Sequence, residues 1–211
     1  MRIYDNRYDR ERLRFQVAMH FIQLEARTRT IRLWTGLTDD RIRKLYRSYL
    51  CGGSERPLTR HRGRSPHRVG MFLRTLRLRH ESALLASLCR LLGALPERAP
   101  AAGLALALPS LTRGELLCKA YEVYRALVGE PLLGFEHAVF LLTALAQADE
   151  LICGACRDCR AIVVVDRWSL RPPRCTVCTA EAEAAARAVA TADCAAPPRP
   201  GLAAGEDATT A

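Results

Sequence analysis

The chain has 211 residues, of which 49% are hydrophobic and 26% are charged, so it is apolar enough for a domain with a true core and is not a wholly disordered chain. No apolar run reaches the roughly 18–20 residues of a membrane span, and residues 1–15 carry charges where a secretory signal needs an apolar stretch. A soluble cytoplasmic protein without a membrane partner is therefore expected.

The charge of the chain is concentrated in its N-terminal part. Residues 1–80 carry 20 basic and 7 acidic side chains, whereas residues 81–211 carry 12 basic and 15 acidic ones. A basic half joined to a nearly neutral remainder favours a polyanionic partner, most simply nucleic acid.

Two helices are predicted at the N-terminus. Apolar residues recur at helical spacing over residues 9–34, and Gly36 is a typical stop. Thr38 then supplies an N-cap hydroxyl, with Asp39 and Asp40 in the first turn of a second, basic helix. Two helices joined by a short glycine-containing turn fit a helix-turn-helix that reads DNA, and they fit an ordinary helical hairpin as well.

The first helix presents an apolar stripe before any obvious core partner occurs in the sequence. This stripe is either a surface for a partner protein or the face that packs on the second helix. The candidate partner-binding residues are Leu13, Val17, Phe21 and Leu24.

Candidate DNA contacts lie on the second helix and in the segment 54–68, which is rich in arginine and has almost no apolar content. Such a segment is either a phosphate-binding arm or a solvated linker. The predicted DNA-binding residues are Arg41, Arg43, Lys44, Arg47, Arg60, Arg62, Arg64 and Arg68.

Further helices are predicted over residues 69–94, 112–128 and 134–150, with a connector at 95–111. Thr112 and Glu115 form a capping-box pattern at the start of the second of these. From residue 180 the composition changes to alanine, proline, threonine and glycine, which predicts a short helix over 181–190 and then a disordered tail.

Five of the nine cysteines fall between Cys153 and Cys178. Two Cys-x-x-Cys pairs, Cys156/Cys159 and Cys175/Cys178, are separated by 15 residues, the spacing of a zinc ribbon. The strand Ile-Val-Val-Val follows the first pair, and 166–173 is predicted to turn the chain back, so that the pairs bracket a hairpin. Four thiolates leave no open position on the ion, so the predicted zinc, one per chain, is structural.

Two alternatives remain open for these cysteines. Cys153/Cys156 is also a Cys-x-x-Cys pair, although Cys156/Cys159 is preferred because the strand then follows directly. A redox pair is the other alternative, and it would require one pair at a helix start after a strand.

The predicted fold is therefore mainly α. It comprises a helical domain over 1–150 with a helix-turn-helix-like N-terminal part, a small zinc ribbon over 151–180 and a disordered tail over 181–211.

The chain resembles the FlhC family, the partners of FlhD in the master activator of bacterial flagellar genes. The resemblance covers roughly residues 12–178 and rests on four stretches in order. These are RFQVAMHFIQLEARTRTI with LTDDRIRKLYRSYL, the loop GRSPHRVG, the helix containing LCKAYEVYRAL, and the paired cysteines. It implies a hetero-oligomer with FlhD that binds promoter DNA and recruits RNA polymerase, and a zinc ion on Cys156, Cys159, Cys175 and Cys178.

Two other function classes fit the same residues: a nucleic-acid-processing enzyme with a structural zinc, and an adaptor that binds only protein. No catalytic residue is predicted, because none of the five histidines lies in a catalytic motif and the chain has no glycine-rich phosphate loop.

Overall fold

The structure is a computed structural model of the chain and describes residues 3–51, 65–96 and 108–194. These residues form seven α-helices, one short 3-10 helix and two strands. The elements are α1 (Ile3–Gln23), α2 (Thr28–Thr35), α3 (Asp39–Cys51), the 3-10 helix (Val69–Leu73), α4 (Leu76–Leu91), α5 (Leu111–Val128), α6 (Phe135–Gln147), β1 (Leu151–Ala155), β2 (Ile162–Asp166) and α7 (Thr176–Cys194). This architecture confirms the prediction of a mainly α protein with a cysteine cluster near its C-terminal end.

The helix predicted over 9–34 is two helices, α1 and α2, separated by a turn in which Glu25 adopts a left-handed φ of 60°. A carboxylate from α6 explains the break, because Glu136 Oε1 accepts a hydrogen bond from the Arg27 amide at 2.8 Å. Its other oxygen accepts from the Thr30 hydroxyl at 3.0 Å. Glu136 thus caps the start of α2 from a distant part of the sequence, which local periodicity cannot predict.

The core lies where α1, α2, α5 and α6 meet. The Phe21 ring packs against Trp34 and Phe135 with centroid distances of 5.9 and 5.0 Å. α5 comes close to the first two helices because Gly114 has no side chain: a Cβ at this position would lie 3.1 Å from Trp34 and 3.3 Å from Val17.

This packing corrects the interpretation of the N-terminal apolar stripe as a partner surface. Val17 and Phe21 are completely buried and Leu24 is 8% exposed, all within the core of this chain. Leu13 is half-buried and packs against the same core. The stripe therefore packs within the chain, and the residues it meets lie on α2, α5 and α6 and not only on the second predicted helix.

β1 and β2 form an antiparallel hairpin in which Leu151 pairs with Asp166 and Ala155 with Ile162. β1 was not predicted, and β2 coincides with the predicted strand. The hairpin packs on α4 and α6, and Leu151 and Val164 belong to the same buried core as the helices.

The chain divides into two compact units, residues 1–176 and 177–211. In the second unit, the described part is the continuation of α7 to Cys194. The short helix predicted over 181–190 lies within α7, and residues 195–211 of the predicted tail lie outside the described residues. Within the described part of the chain, no helix has the length and apolarity needed to cross a membrane.

Candidate metal centre and basic surface

The first cysteine pair lies in the tight turn that joins β1 to β2. The Cys156 amide donates to the Ala161 carbonyl at 2.8 Å, and the Arg160 amide donates back to the Cys156 carbonyl at 3.0 Å. Arg160 has a left-handed φ of 64°, which lets the chain reverse within a few residues. The turn brings the side chains of Cys156 and Cys159 to one side of the hairpin end.

The second pair lies at the start of α7, where Cys175 precedes the helix and Cys178 lies in its first turn. The prediction that the two pairs bracket a hairpin formed by 162–173 is thus wrong: β2 pairs with the preceding strand β1. The chain instead returns from β2 without a third strand, held by the Arg157 amide, which donates to the Pro173 carbonyl at 2.9 Å.

The four predicted cysteines come together. One sulfur from each of Cys156, Cys159, Cys175 and Cys178 lies within 4.8 Å of every other. The Cys159 and Cys175 sulfurs are 3.6 Å apart. Because the ligands of a tetrahedral ion with metal–sulfur bonds of about 2.3 Å are separated by about 3.8 Å, this group can hold a metal ion.

The environment of Cys156 favours its thiolate. Hydrogen bonds from the backbone amides of Cys159 and Cys175 lower its pKa to about 6, against the opposing effect of burial. The Cys175 amide lies 3.3 Å from the Cys156 sulfur. Since metals bind the deprotonated thiol, these amides prepare the buried ligand of the group.

Cys153 is not a member of the group, which decides the register of the first pair in favour of Cys156/Cys159. It lies in β1 opposite Val164 and packs against the core. Burial raises the pKa of its thiol, as it raises that of the nearby Cys89 to about 12. These two thiols are therefore protonated core side chains at neutral pH.

A charged pair that sequence analysis did not single out lies beside the cysteines. Arg174 Nε donates to the Asp158 carboxylate at 2.7 Å, and Asp158 also faces Arg157 at 3.4 Å. The pair links the residue before Cys175 to the residue before Cys159. In the sequence, an aspartate stands directly before a cysteine of the first pair and an arginine directly before a cysteine of the second pair. This placement of opposite charges could have indicated the contact.

The predicted DNA-binding residues of α3 are exposed. Arg43, Lys44 and Arg47 all face solvent on this helix, and Arg43 forms an exposed ion pair with Asp40 at 3.0 Å. Arg41 is turned toward α1 instead, where its guanidinium lies 3.9 Å from Glu11 and 6.0 Å from the Phe15 ring centroid. The basic surface of α3 is defined as Arg43, Lys44 and Arg47, while Arg41, which is also exposed, pairs with Glu11.

The predicted arm is described only at its end. Arg60, Arg62 and Arg64 lie outside the described residues. Arg68 is exposed at the N-cap of the 3-10 helix, and its carbonyl accepts a hydrogen bond from the Met71 amide at 3.3 Å.

Several residues that carry the family resemblance are core residues with satisfied hydroxyls. Tyr46, in the Leu-Tyr element, donates to the Ala26 carbonyl at 2.9 Å and ties α3 to the turn between α1 and α2. Tyr121, in the Ala-Tyr-x-x-Tyr element, donates to the Leu133 carbonyl at 3.1 Å. These tyrosines stabilise helix packing, so the sequence elements that contain them have a structural role in this chain.

No protein-family model matches the sequence of this chain, and no curated protein matches it significantly.

Proposed function

We propose that this chain is a zinc-containing DNA-binding transcription activator of the FlhC type, acting on flagellar genes in a hetero-oligomer with FlhD. The observation that carries the DNA-binding part is the basic surface of α3. The family assignment, the partner FlhD and the recruitment of RNA polymerase are inferred from the resemblance of the sequence stretches. The proposed site of action is the cytoplasm.

The charge and position of α3 support contact with DNA. α3 is a helix of 13 residues that follows α2 after only three residues and contacts both α1 and α2. Arg43 and Arg47 are four residues apart and so lie on one line of the helix, next to Lys44. Three cations on this exposed face can neutralise phosphates along one groove edge.

The N-terminal end of the same helix carries Asp39 and Asp40, which phosphates would repel. Asp39 lies 3.8 Å from Arg32 and Asp40 pairs with Arg43, so part of this negative charge is compensated. The helix therefore meets DNA with its middle and C-terminal half, on the side from which the chain continues to the arginine-rich segment 54–68.

Zinc is the ion that the donor set fits best, because four cysteine sulfurs are the ligands of tetrahedral structural zinc sites. When bound, zinc cross-links the four side chains and has no position left for a substrate. The amides that donate to Cys156 keep its sulfur deprotonated and oriented. Zinc then stabilises the fold and takes no part in catalysis.

Fluorescence anisotropy with promoter and random DNA across a salt series, with and without FlhD, tests this function. Replacing Arg43, Lys44 and Arg47 together with alanine should flatten the salt dependence by about 0.9 units of slope per lost phosphate contact. The control carries alanine at Lys119 and Arg125, exposed cations of α5, and should keep the original slope.

Three results would contradict the proposal. If the chain shows no salt-dependent DNA binding either with or without FlhD, the result would favour an adaptor that binds only protein. Turnover of the nucleic acid would identify an enzyme. An unchanged slope in the triple variant would remove α3 from the interface.

A further inference from the structure

A cleft of about 760 Å³ lies between α1, the end of α2 and the start of α5. Its apolar lining includes Leu13, Leu33, Trp34, Pro109 and Leu111. Leu33 is 64% exposed, so its side chain offers apolar surface to a ligand in the cleft. The volume falls in the range of about 300–1,000 Å³ that small-molecule sites occupy.

The rim of this cleft is basic. Arg10, Arg14 and Arg113 contribute three positive charges and Asp9 one negative charge. Arg14 forms an ion pair with Glu11 at 2.6 Å through Nη1, while its Nε is buried and has no hydrogen-bond partner within the described structure. The Arg10 side chain is exposed, so its guanidinium is available to an anion in the cleft.

The walls of the cleft are fixed by the packing of the fold. Arg113 is anchored by a 2.9 Å hydrogen bond from Nη1 to the Ala94 carbonyl. The close approach of Gly114 to Trp34 sets the spacing between α5 and α2. The first amides of α5 have no acceptor within the helix, the Ser110 side chain does not cap them, and Leu111 and Thr112 at this helix start line the cleft.

We propose that this cleft binds an amphipathic organic anion, a carboxylate on an extended apolar body. The guanidinium groups of the rim and the first amides of α5 bind the carboxylate. The apolar body packs against Leu13, Leu33 and Trp34, where its removal from water is favourable. This inference is independent of the DNA-binding function, because no residue of the cleft belongs to the basic surface of α3.

Tryptophan fluorescence provides a direct test with decanoate as the probe. The chain has two tryptophans: Trp34 lines the cleft and is 5% exposed, and Trp168 is 74% exposed. In the full chain carrying Trp168→Phe, the emission of Trp34 should change saturably with decanoate. Acetate, which lacks the apolar body and so the favourable burial of its methylenes, should bind at least about tenfold more weakly. Decylammonium, which reverses the charge, should also bind at least about tenfold more weakly, the loss expected for one charge-assisted contact.

Matched variants separate the cleft from general surface binding. Arg10→Gln and Leu33→Gln, both at exposed positions, should each weaken decanoate binding by about fivefold or more. Arg47→Gln, on α3, and Leu127→Gln, at a position 63% exposed on α5, should leave it unchanged. The proposal is overturned if Trp34 does not respond, if decylammonium binds as well as decanoate, or if the two control variants weaken binding as much as the cleft variants.

Discussion

The Tyr124 hydroxyl on α5 donates a short hydrogen bond to the carboxylate of Glu81 on α4, and both side chains are buried. The same Glu81 oxygen accepts from the Leu132 amide at 2.9 Å, and the other accepts from Arg77 Nε at 2.9 Å. Arg77 also donates to the Glu130 carbonyl at 2.5 Å. One buried carboxylate thus joins α4, α5 and the loop that leads to α6.

Tyr124→Phe should lower the free energy of unfolding by about 1–3 kcal/mol, because it removes a hydrogen-bond donor from a buried carboxylate without supplying another donor. The measurement is urea denaturation followed by circular dichroism at pH 7. Tyr8→Phe, at a position 71% exposed, is the control and should change little. A Tyr124→Phe protein as stable as the original would show that the hydrogen bond makes no net contribution.

The same network predicts a pH dependence of stability. Burial alone would raise the pKa of Glu81, but hydrogen bonds from Tyr124, Arg77 and the Leu132 amide, with the Arg77 charge, lower it below its ordinary value of 4.5. The folded state therefore binds fewer protons than the unfolded state as the pH falls from about 4.5 toward the lowered pKa, and stability is lost over that range.

Glu81→Gln should remove this contribution to the pH dependence. We expect the difference in unfolding free energy between the original protein and the variant to shrink as the pH falls below 4.5. Taking that difference cancels the protonation of other groups, which both proteins share. A difference that stays constant between pH 7 and pH 3 would contradict a lowered pKa for Glu81.

The proposed zinc on the four-cysteine group can be tested directly. The protein purified under reducing conditions should contain about one zinc per chain, as one tetrahedral set of thiolates requires. Cys175→Ser should release the zinc and lower the melting temperature, because metal binding is coupled to folding. Metal analysis by mass spectrometry with thermal unfolding measures both effects.

Cys153 and Cys159 provide the matched comparison for this centre. Cys153→Ser should keep the zinc, whereas Cys159→Ser should lose it, because only the second residue belongs to the cysteine group. The opposite result would restore the alternative register of the first pair. Freshly prepared reduced protein without zinc would contradict the whole assignment.

The cysteine group was predictable from the sequence because its information is local. Each Cys-x-x-Cys spacing fits one turn, and a β-branched run after Cys159 indicates a strand. The positions of the cysteine pairs relative to the hairpin were predicted less well. The strand that pairs with β2 is the segment 151–155, and its glycine and cysteine do not form a typical strand pattern. The pairing depends on packing against α4 and α6, which no local pattern records.

The N-terminal helices show the same limit. The apolar spacing over 9–34 correctly predicted helix but continued it through the turn at Glu25, because the carboxylate that caps α2 comes from Glu136. The stripe containing Phe21 was correctly recognised as apolar, yet its partner could not be chosen from the sequence. Its true neighbour is α5, more than 90 residues away, and Gly114 at the contact carries no periodic signal.

Gly114→Val tests this contact. A Cβ at Gly114 already falls within 3.1 Å of Trp34 and 3.3 Å of Val17, both buried, so a branched side chain must push α5 away. We expect a loss of about 2 kcal/mol in unfolding free energy, measured by urea denaturation. Gly70→Val is the control, because nothing lies within 4 Å of a Cβ at that position. Equal effects of the two substitutions would show that α5 can shift without cost.

Phe21→Asp distinguishes a core stripe from a partner surface. Phe21 is completely buried between Trp34 and Phe135, so an aspartate there would place an unpaired charge in the core, and the isolated chain should lose its cooperative thermal transition. Phe15 on the same helix is 37% exposed, and Phe15→Asp should leave the transition in place. Circular dichroism melts of both variants, followed by co-purification with FlhD, complete the test. If the Phe21→Asp chain folds but specifically fails to co-purify with FlhD, the stripe is a partner interface. That result would contradict the packing of α1 in this structure.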